Sequence, residues 1–179
     1  RYGLYNGYRK RRPSMSLIKT DAIQTLAGKP ILNATGSVLQ TLSTTKTDSF
    51  SFVASGMQTG IDIPGLSLAI TPAATSSKIL VIVQCAITGS NAGQGIKLLR
   101  GSTAIAIGDA SGSNKPRSGI IGFYSSSGAN GAYSNGATTY KLQGAGYNST
   151  FYVNRTIFDT DNNNAGRCIS TLTLMEIAG

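Results

Sequence analysis

The sequence of 179 residues contains no histidine and no tryptophan. Histidine is the side chain that enzymes most often use for general acid–base catalysis near neutral pH. Nucleophile elbows, HExxH motifs and phosphate-binding Walker loops are also missing from the sequence. We therefore expect no catalytic residues, no cofactor and no enzymatic activity.

Acidic residues are few, and the stretch that most resembles a metal site is residues 159–163, DTDNN. Its hard oxygen ligands alternate as they do in a calcium loop. The match then fails, because position six is Asn164 rather than glycine and position twelve is Ser170 rather than glutamate. The sequence therefore predicts an Asx-rich turn and no metal site.

Cysteine is also scarce, since the chain has only Cys85 and Cys168, each within an apolar stretch and neither in a CxxC motif. We expect both to be buried thiols that pack as small hydrophobic side chains. A count of two, far apart in sequence, does not imply a disulfide.

Long hydrophobic runs are absent, and the longest aliphatic run, residues 79–83, is too short to span a bilayer. The basic start of the chain is not followed by an apolar stretch with a small-residue cleavage site, so it does not resemble a secretory signal. We expect no membrane insertion.

Charge is low: 13% of residues are charged, against about 25% in typical domains. Gly, Ser, Thr and Asn fill the gap, and the runs of helix formers that a bundle needs are absent. Alternation from residue 46 onward, as in Phe50 and Phe52, instead predicts strands separated by polar turns. The clearest candidates are residues 78–87, 95–100, 103–107, 118–124, 139–143, 150–158 and 168–177. The expected fold is all-β, a β-sandwich or jelly roll.

The positive charge is concentrated at the start of the chain. Residues 1–14 hold five of the sixteen cations and no carboxylate, so the net charge of +9 describes a tail more than a surface. No strand carries a basic stripe with interleaved aromatics, so we do not expect sequence-specific nucleic-acid readout. We predict a basic leader that anchors the chain to another protein through Tyr2, Tyr5, Tyr8, Arg9, Lys10, Arg11 and Arg12.

Two further segments follow the leader. Residues 15–45 hold small apolar clusters that this stretch cannot bury alone, so we expect an extended N-terminal stem. Residues 46–179 are expected to form the head domain.

The candidate strands 150–158 and 168–177 carry apolar residues on both faces. In a strand with one face in water, apolar and polar residues should alternate. The second apolar face therefore has to be covered, and another subunit would cover it. The sequence therefore predicts a homotrimer with an interface formed by Tyr152, Phe158, Ile169, Met175 and Ile177.

Several motifs occur in an order that resembles a family of virion structural proteins of marine and freshwater phages, chiefly cyanophages. They are IKTDAIQTLAGKPIL, ITPAATSSKILVIVQ, LLRGSTAIAIGDASGS, TFYVNRTIFDTD and the ending STLTLMEIAG. The resemblance implies a fibre or spike protein located in the virion, with a trimeric jelly-roll head similar to those of the tumour-necrosis-factor and complement type. A trimeric capsid decoration (cement) or head-fibre protein that stabilises the shell is the alternative. A packaged nucleic-acid-binding protein that uses the basic leader is a third hypothesis.

Long polar loops on a rigid sandwich are common binding sites. The loops 109–118 and 125–138 fit this description and would contact a host-surface glycan or protein. The candidate contact residues are Asp109, Asn114, Tyr124, Asn130 and Tyr133.

Overall fold

The computed structural model describes residues 34–89, 94–107, 119–125, 136–159 and 165–179. These residues belong to one compact unit, Asn33–Gly179. The basic leader and the predicted stem up to residue 33 lie outside the described residues.

Within the described ranges the chain forms nine strands and no helix. The strands are β1 (Val38–Lys46), β2 (Phe50–Ile70), β3 (Lys78–Gln84), β4 (Ile87–Gly89), β5 (Gln94–Arg100), β6 (Thr103–Ile107), β7 (Gly119–Ser125), β8 (Thr138–Val153) and β9 (Ser170–Ile177).

The strands pair in a nested order: β1 with β9, β2 with β8, β3 with β7, and β5 with β6, all antiparallel. The first sheet has the order β1-β9-β3-β7, and the second has the order β2-β8-β5-β6 with β4 also paired to β8. The prediction of an all-β fold is therefore confirmed.

The core lies between the two sheets. Alternate residues of the first sheet, including Val81, Leu172 and Leu174, are fully buried, and so are Leu142 and Phe151 of the second sheet. All five belong to one hydrophobic cluster. The two sheets thus share a core as they do in a β-sandwich, with every second residue of each strand pointing inward.

Strand β1 extends the first sheet into residues that the sequence analysis assigned to the stem. Its register runs from Val38 opposite Ile177 to Lys46 opposite Ser170. The sequence VLQTLSTTK does not show the alternation of apolar and polar residues that predicts a strand. In β1, only Leu42 contributes a large apolar side chain that packs against the core.

The two ends of the sandwich differ in what they carry. At the near end Gly36 donates its backbone N–H to Ala178 O (2.7 Å), so the first described residues lie beside the C-terminal residues. The connection 71–77 lies at this end too, because it joins β2 to the start of β3. The far end carries the connections 47–49 and 85–86 and the described residues next to β8 and β9 in the connection between those strands. Strands of seven or eight residues separate the ends by roughly 25 Å.

A buried carboxylate holds the near end together. Glu176 of β9 accepts hydrogen bonds from Ser77 Oγ at 2.6 Å and from Gln40 Nε2 and the backbone N–H of Ala73 at 2.7 Å each. Burial by itself raises the pKa of Glu176, but the hydrogen bonds from Ser77, Gln40 and the backbone outweigh it and lower the pKa below its usual value. The ionised carboxylate therefore ties β9 to β1 and to the connection between β2 and β3.

An aromatic pair makes one glycine of β8 obligatory. The rings of Phe52 and Phe151 stack with their centroids 4.9 Å apart. A Cβ added at Gly144 would lie 2.7 Å from the Phe52 ring and 2.9 Å from the Phe151 ring. Contacts of that length displace one ring or bend the strand.

We expect Glu176→Gln to lower the free energy of unfolding by about 1–3 kcal/mol at neutral pH. The glutamine side-chain nitrogen is itself a donor and would face the donors that bond the Glu176 carboxylate, so at least one of them would lose its acceptor. The folded-state pKa of Glu176 is lowered, so the carboxylate's contribution is full above the unfolded pKa and is lost as pH falls through the folded pKa. Urea unfolding should show the difference between variant and wild type shrinking below about pH 4. A difference that stays constant on acidification would contradict this account of the network.

Gly144→Ala should also lower the free energy of unfolding by about 1–3 kcal/mol, because the methyl group overpacks the ring pair. Gly166→Ala is the matched control, since a Cβ there meets nothing within 4 Å. Urea titrations of both variants measure the effect, and equal stability of the two would show that the core yields freely at Gly144.

Candidate functional site

The outer side of the first sheet carries an apolar patch that no described part of the chain fully covers. Leu80 and Ile82 of β3 and Met175 and Ile177 of β9 are half-buried and alternate with core residues. Leu80 lies directly opposite Met175 in the register. We call these four residues the outer apolar face.

Polar residues surround the outer apolar face. Lys78 and Gln84, at the two ends of β3, are exposed. On the β1 side, Ser43 Oγ lies 2.9 Å from Thr173 Oγ1, in a hydroxyl pair at the surface. An apolar centre with a polar rim is the composition of protein–protein interfaces.

The five residues predicted to form the trimer interface lie on three different parts of the surface. Met175 and Ile177 belong to the outer apolar face. Tyr152 lies on the outer side of the second sheet, opposite Ser51 in the register, and the Arg155 guanidinium stands 5.1 Å from the centroid of its ring. No single flat surface of one chain includes all five residues, and their role in a trimer interface stays a prediction.

The other two, Phe158 and Ile169, lie at the far end in the connection between β8 and β9. The predicted strand 150–158 stops at Val153. The next residue, Asn154, has a positive φ of 60°, and its side-chain amide donates to the backbone of the connection after β1. Phe158 is 79% exposed and Ile169 is 54% exposed. They are surface residues beside β9 and not the second face of a strand.

Sequence analysis missed Leu80 and Ile82 as surface residues. They lie in an uninterrupted apolar run together with Ile79, Val81 and Val83. Because the inward and the outward residues of this run are all apolar, the sequence does not show which of them face outward. The position of β3 between β9 and β7 shows which of its residues lie on the outer side of the sheet, because opposite residues of antiparallel strands point to the same side.

Both predicted binding loops lie largely outside the described residues. β7, the strand between them in sequence, runs from Gly119 opposite Gln84 to Ser125 opposite Lys78. Tyr124 lies within β7, opposite Ile79. Four other candidates lie outside the described residues: Asp109, Asn114, Asn130 and Tyr133.

A buried hydrogen-bond network closes the far end. The Asn154 side-chain amide donates to Lys46 O at 2.8 Å and to Asp48 O at 3.0 Å. Its oxygen accepts from Ser170 Oγ at 2.6 Å, and Ser170 Oγ in turn accepts the N–H of Ala86 at 3.1 Å. Each group has its partners within the chain, so the network is structural and offers no free nucleophile or base.

The two cysteines differ in environment. Cys85 is buried, and burial raises the pKa of its thiol to about 11 despite an opposing hydrogen bond from Ser170. Cys168 is exposed, so the expectation that both thiols are buried is wrong for Cys168. Its apolar neighbour Ile169 is exposed as well, because this stretch precedes β9 and lies outside the sheet.

Asp159, the first residue of the calcium-like stretch, is engaged by an arginine. Arg167 Nε lies 2.8 Å from Asp159 Oδ2, and Nη2 of the same guanidinium lies 3.4 Å from Oδ1. Residues 160–164 lie outside the described residues. Among the residues that the structure does describe, no group of three or more His, Cys, Asp or Glu side chains could hold a metal ion.

Titration of the native protein with a thiol reagent near pH 8 should report about one reactive thiol per chain, because Cys168 is exposed while the pKa of Cys85 is raised to about 11. Unfolding in denaturant should release the second thiol. Cys168→Ser is the control and should remove the fast reaction. Two thiols that react equally fast in the native protein would show that Cys85 is accessible.

Within the described ranges no helix is long and apolar enough to cross a membrane. Neither a protein-family model nor a curated protein sequence matches this chain.

Proposed function

We propose that this chain is a structural subunit of a bacteriophage virion that assembles as a homotrimer, with a jelly-roll head and without catalytic activity. The resemblance of its motifs to phage virion proteins gives the biological setting. The outer apolar face is the observation that carries the assembly part of the proposal.

The strand pairing supports the jelly-roll interpretation. A jelly roll has eight main strands in two antiparallel sheets. Folding one long hairpin onto itself gives nested pairs of first with last, second with next to last, and so on. The pairs β1–β9, β2–β8, β3–β7 and β5–β6 follow this order, with β4 as a short addition.

The size of the first sheet supports self-association. Four strands of about seven residues cover roughly 400 Å² of flat area. A standard interface buries about 800 Å² on each partner. The outer apolar face and its rim can therefore supply about half of one standard contact, and adjoining surface has to supply the rest.

A three-fold ring needs two different surfaces on each subunit, because its contacts are heterologous. The outer apolar face provides one of them. Tyr152 lies on the outer side of the opposite sheet, so the second surface would include Tyr152. In this arrangement Met175 and Ile177 belong to one half of a heterologous contact and Tyr152 to the other.

The proposed anchor is the basic leader within residues 1–14, which would bind another virion protein.

Native mass spectrometry or sedimentation should find three chains per particle for the wild-type protein. Met175→Lys should give monomers, because an unpaired ammonium buried in an apolar contact is strongly destabilising, by several kcal/mol. Ser102→Lys is the matched control and should stay trimeric, since Ser102 lies in the exposed turn between β5 and β6.

Circular dichroism of the same samples should show unchanged β structure in both variants. A monomeric wild type would contradict the trimer. A Met175→Lys protein that remains trimeric would exclude the outer apolar face as the contact.

A further inference from the structure

The outer side of the first sheet becomes more apolar from β1 towards β7. The strand register aligns residues of the four strands in rows across the sheet. One row contains, in order from β1 to β7, Thr41, Met175, Leu80 and Phe123. The next row contains, in the same order, Ser43, Thr173, Ile82 and Ile121. In both rows the hydroxyl residues lie towards β1 and the apolar residues towards β7.

The rows on either side of these two are mixed or polar. The row at the near end contains Val38, Ile177, Lys78 and Ser125. The row at the far end contains Thr45, Thr171, Gln84 and Gly119. The apolar area is therefore centred on the middle of β3 and β7, next to one edge of the sheet.

The β1 edge of this sheet is tied to another strand of the same chain. Gln40 Nε2 donates to Thr71 O at 2.8 Å, and Thr44 Oγ1 donates to Gly65 O at 3.1 Å, so side chains of β1 bond the end of β2 and the residue that follows it. The pairing of β1 with β9 is also interrupted by a register shift after Val38. A covered or irregular edge strand resists pairing with a second chain.

The β7 edge has none of these features. β7 pairs with β3 along its whole length without a register shift. Its sequence, GIIGFYS, contains no charged residue and no proline. In the part of the chain that the structure describes, no strand pairs with its second edge. A regular, apolar and uncharged edge strand is a template for contact with another chain.

The apolar rows and the β7 edge adjoin each other and form one continuous surface. The outer side of the first sheet supplies only about half of the roughly 800 Å² that a standard contact buries on each partner. The β7 edge can add to this area without covering the β1 side, where Thr41, Ser43 and Thr45 are exposed. Burying those hydroxyl groups without hydrogen-bond partners would cost free energy.

We propose that a second copy of this chain covers the β3–β7 part of the outer side together with the open edge of β7, while the β1 part stays in water. This inference rests on the proposed function, in which the outer apolar face is a contact between copies. It adds the direction of that contact, because the neighbouring copy reaches the face across the β7 edge and not across the β1 edge.

The test compares two lysine substitutions in the same row, at opposite edges of the sheet. In full-length protein, Phe123→Lys should give monomers by native mass spectrometry, because it would place an ammonium group in the apolar contact. Thr41→Lys is the matched control and should stay trimeric, since Thr41 is exposed on the β1 side. Circular dichroism should show wild-type β structure in both variants.

Hydrogen exchange locates the contact without any change in β7, and it decides the question if Phe123→Lys does not fold. Amides of residues 119–125 should exchange roughly tenfold more slowly in the wild-type trimer than in the Met175→Lys monomer, because opening of β7 then requires the neighbour to leave. Amides of residues 38–46 should exchange at the same rate in both proteins.

A folded Phe123→Lys protein that stays trimeric would overturn this inference, and so would a monomeric Thr41→Lys protein. Equal exchange of residues 119–125 in trimer and monomer would overturn it as well. All three results leave the proposed trimer standing as long as the wild type contains three chains. A monomeric wild type would refute the proposed trimer itself, and this inference with it.

Discussion

The register of β9 is the constraint on which the rest of the sandwich depends. β9 lies between β1 and β3, and its alternation decides which side of the first sheet is buried. Polar residues fix both of its ends: Ser170 in the far-end network and Glu176 in the near-end network. A slip of one residue would turn Leu172 and Leu174 outward and break both networks at once.

Both networks lie inside the chain. Their polar side chains, which are of the types that catalytic sites use, therefore form structural hydrogen bonds. Asn154, Ser170 and Glu176 satisfy backbone groups or one another. The described surface also carries the outer apolar face on the first sheet.

The same register exposes the outer apolar face that the proposed trimer would use. Inward alternation on β9 and β3 leaves Met175, Ile177, Leu80 and Ile82 outside. β8 ends at Val153, so Phe158 lies outside the sheet.

Much of the fold could be predicted from the sequence, because period-two alternation survives in short strands. The prediction of β6 at 103–107 is confirmed, and β5 and β7 are displaced by one residue at most. Long strands were harder. β8 was divided at its glycines, yet Gly144 continues the strand because the stacked rings require its missing side chain.

Other features could not be predicted, because they depend on pairing between distant segments. β2 runs past Pro64 and Gly65 through register shifts that no local pattern reveals. The outer apolar face combines two strands almost a hundred residues apart, and only their register shows that Leu80 meets Met175. The sequence thus indicated Met175 and Ile177 of this surface, whereas Leu80 and Ile82 became apparent only from the strand pairing.

A density map of the purified full-length protein tests the central claim most directly. The account predicts three copies around a three-fold axis, with Met175 and Ile177 of each copy covered by its neighbour. A map of isolated chains, or of an assembly in which the outer side of the first sheet faces solvent, would contradict it.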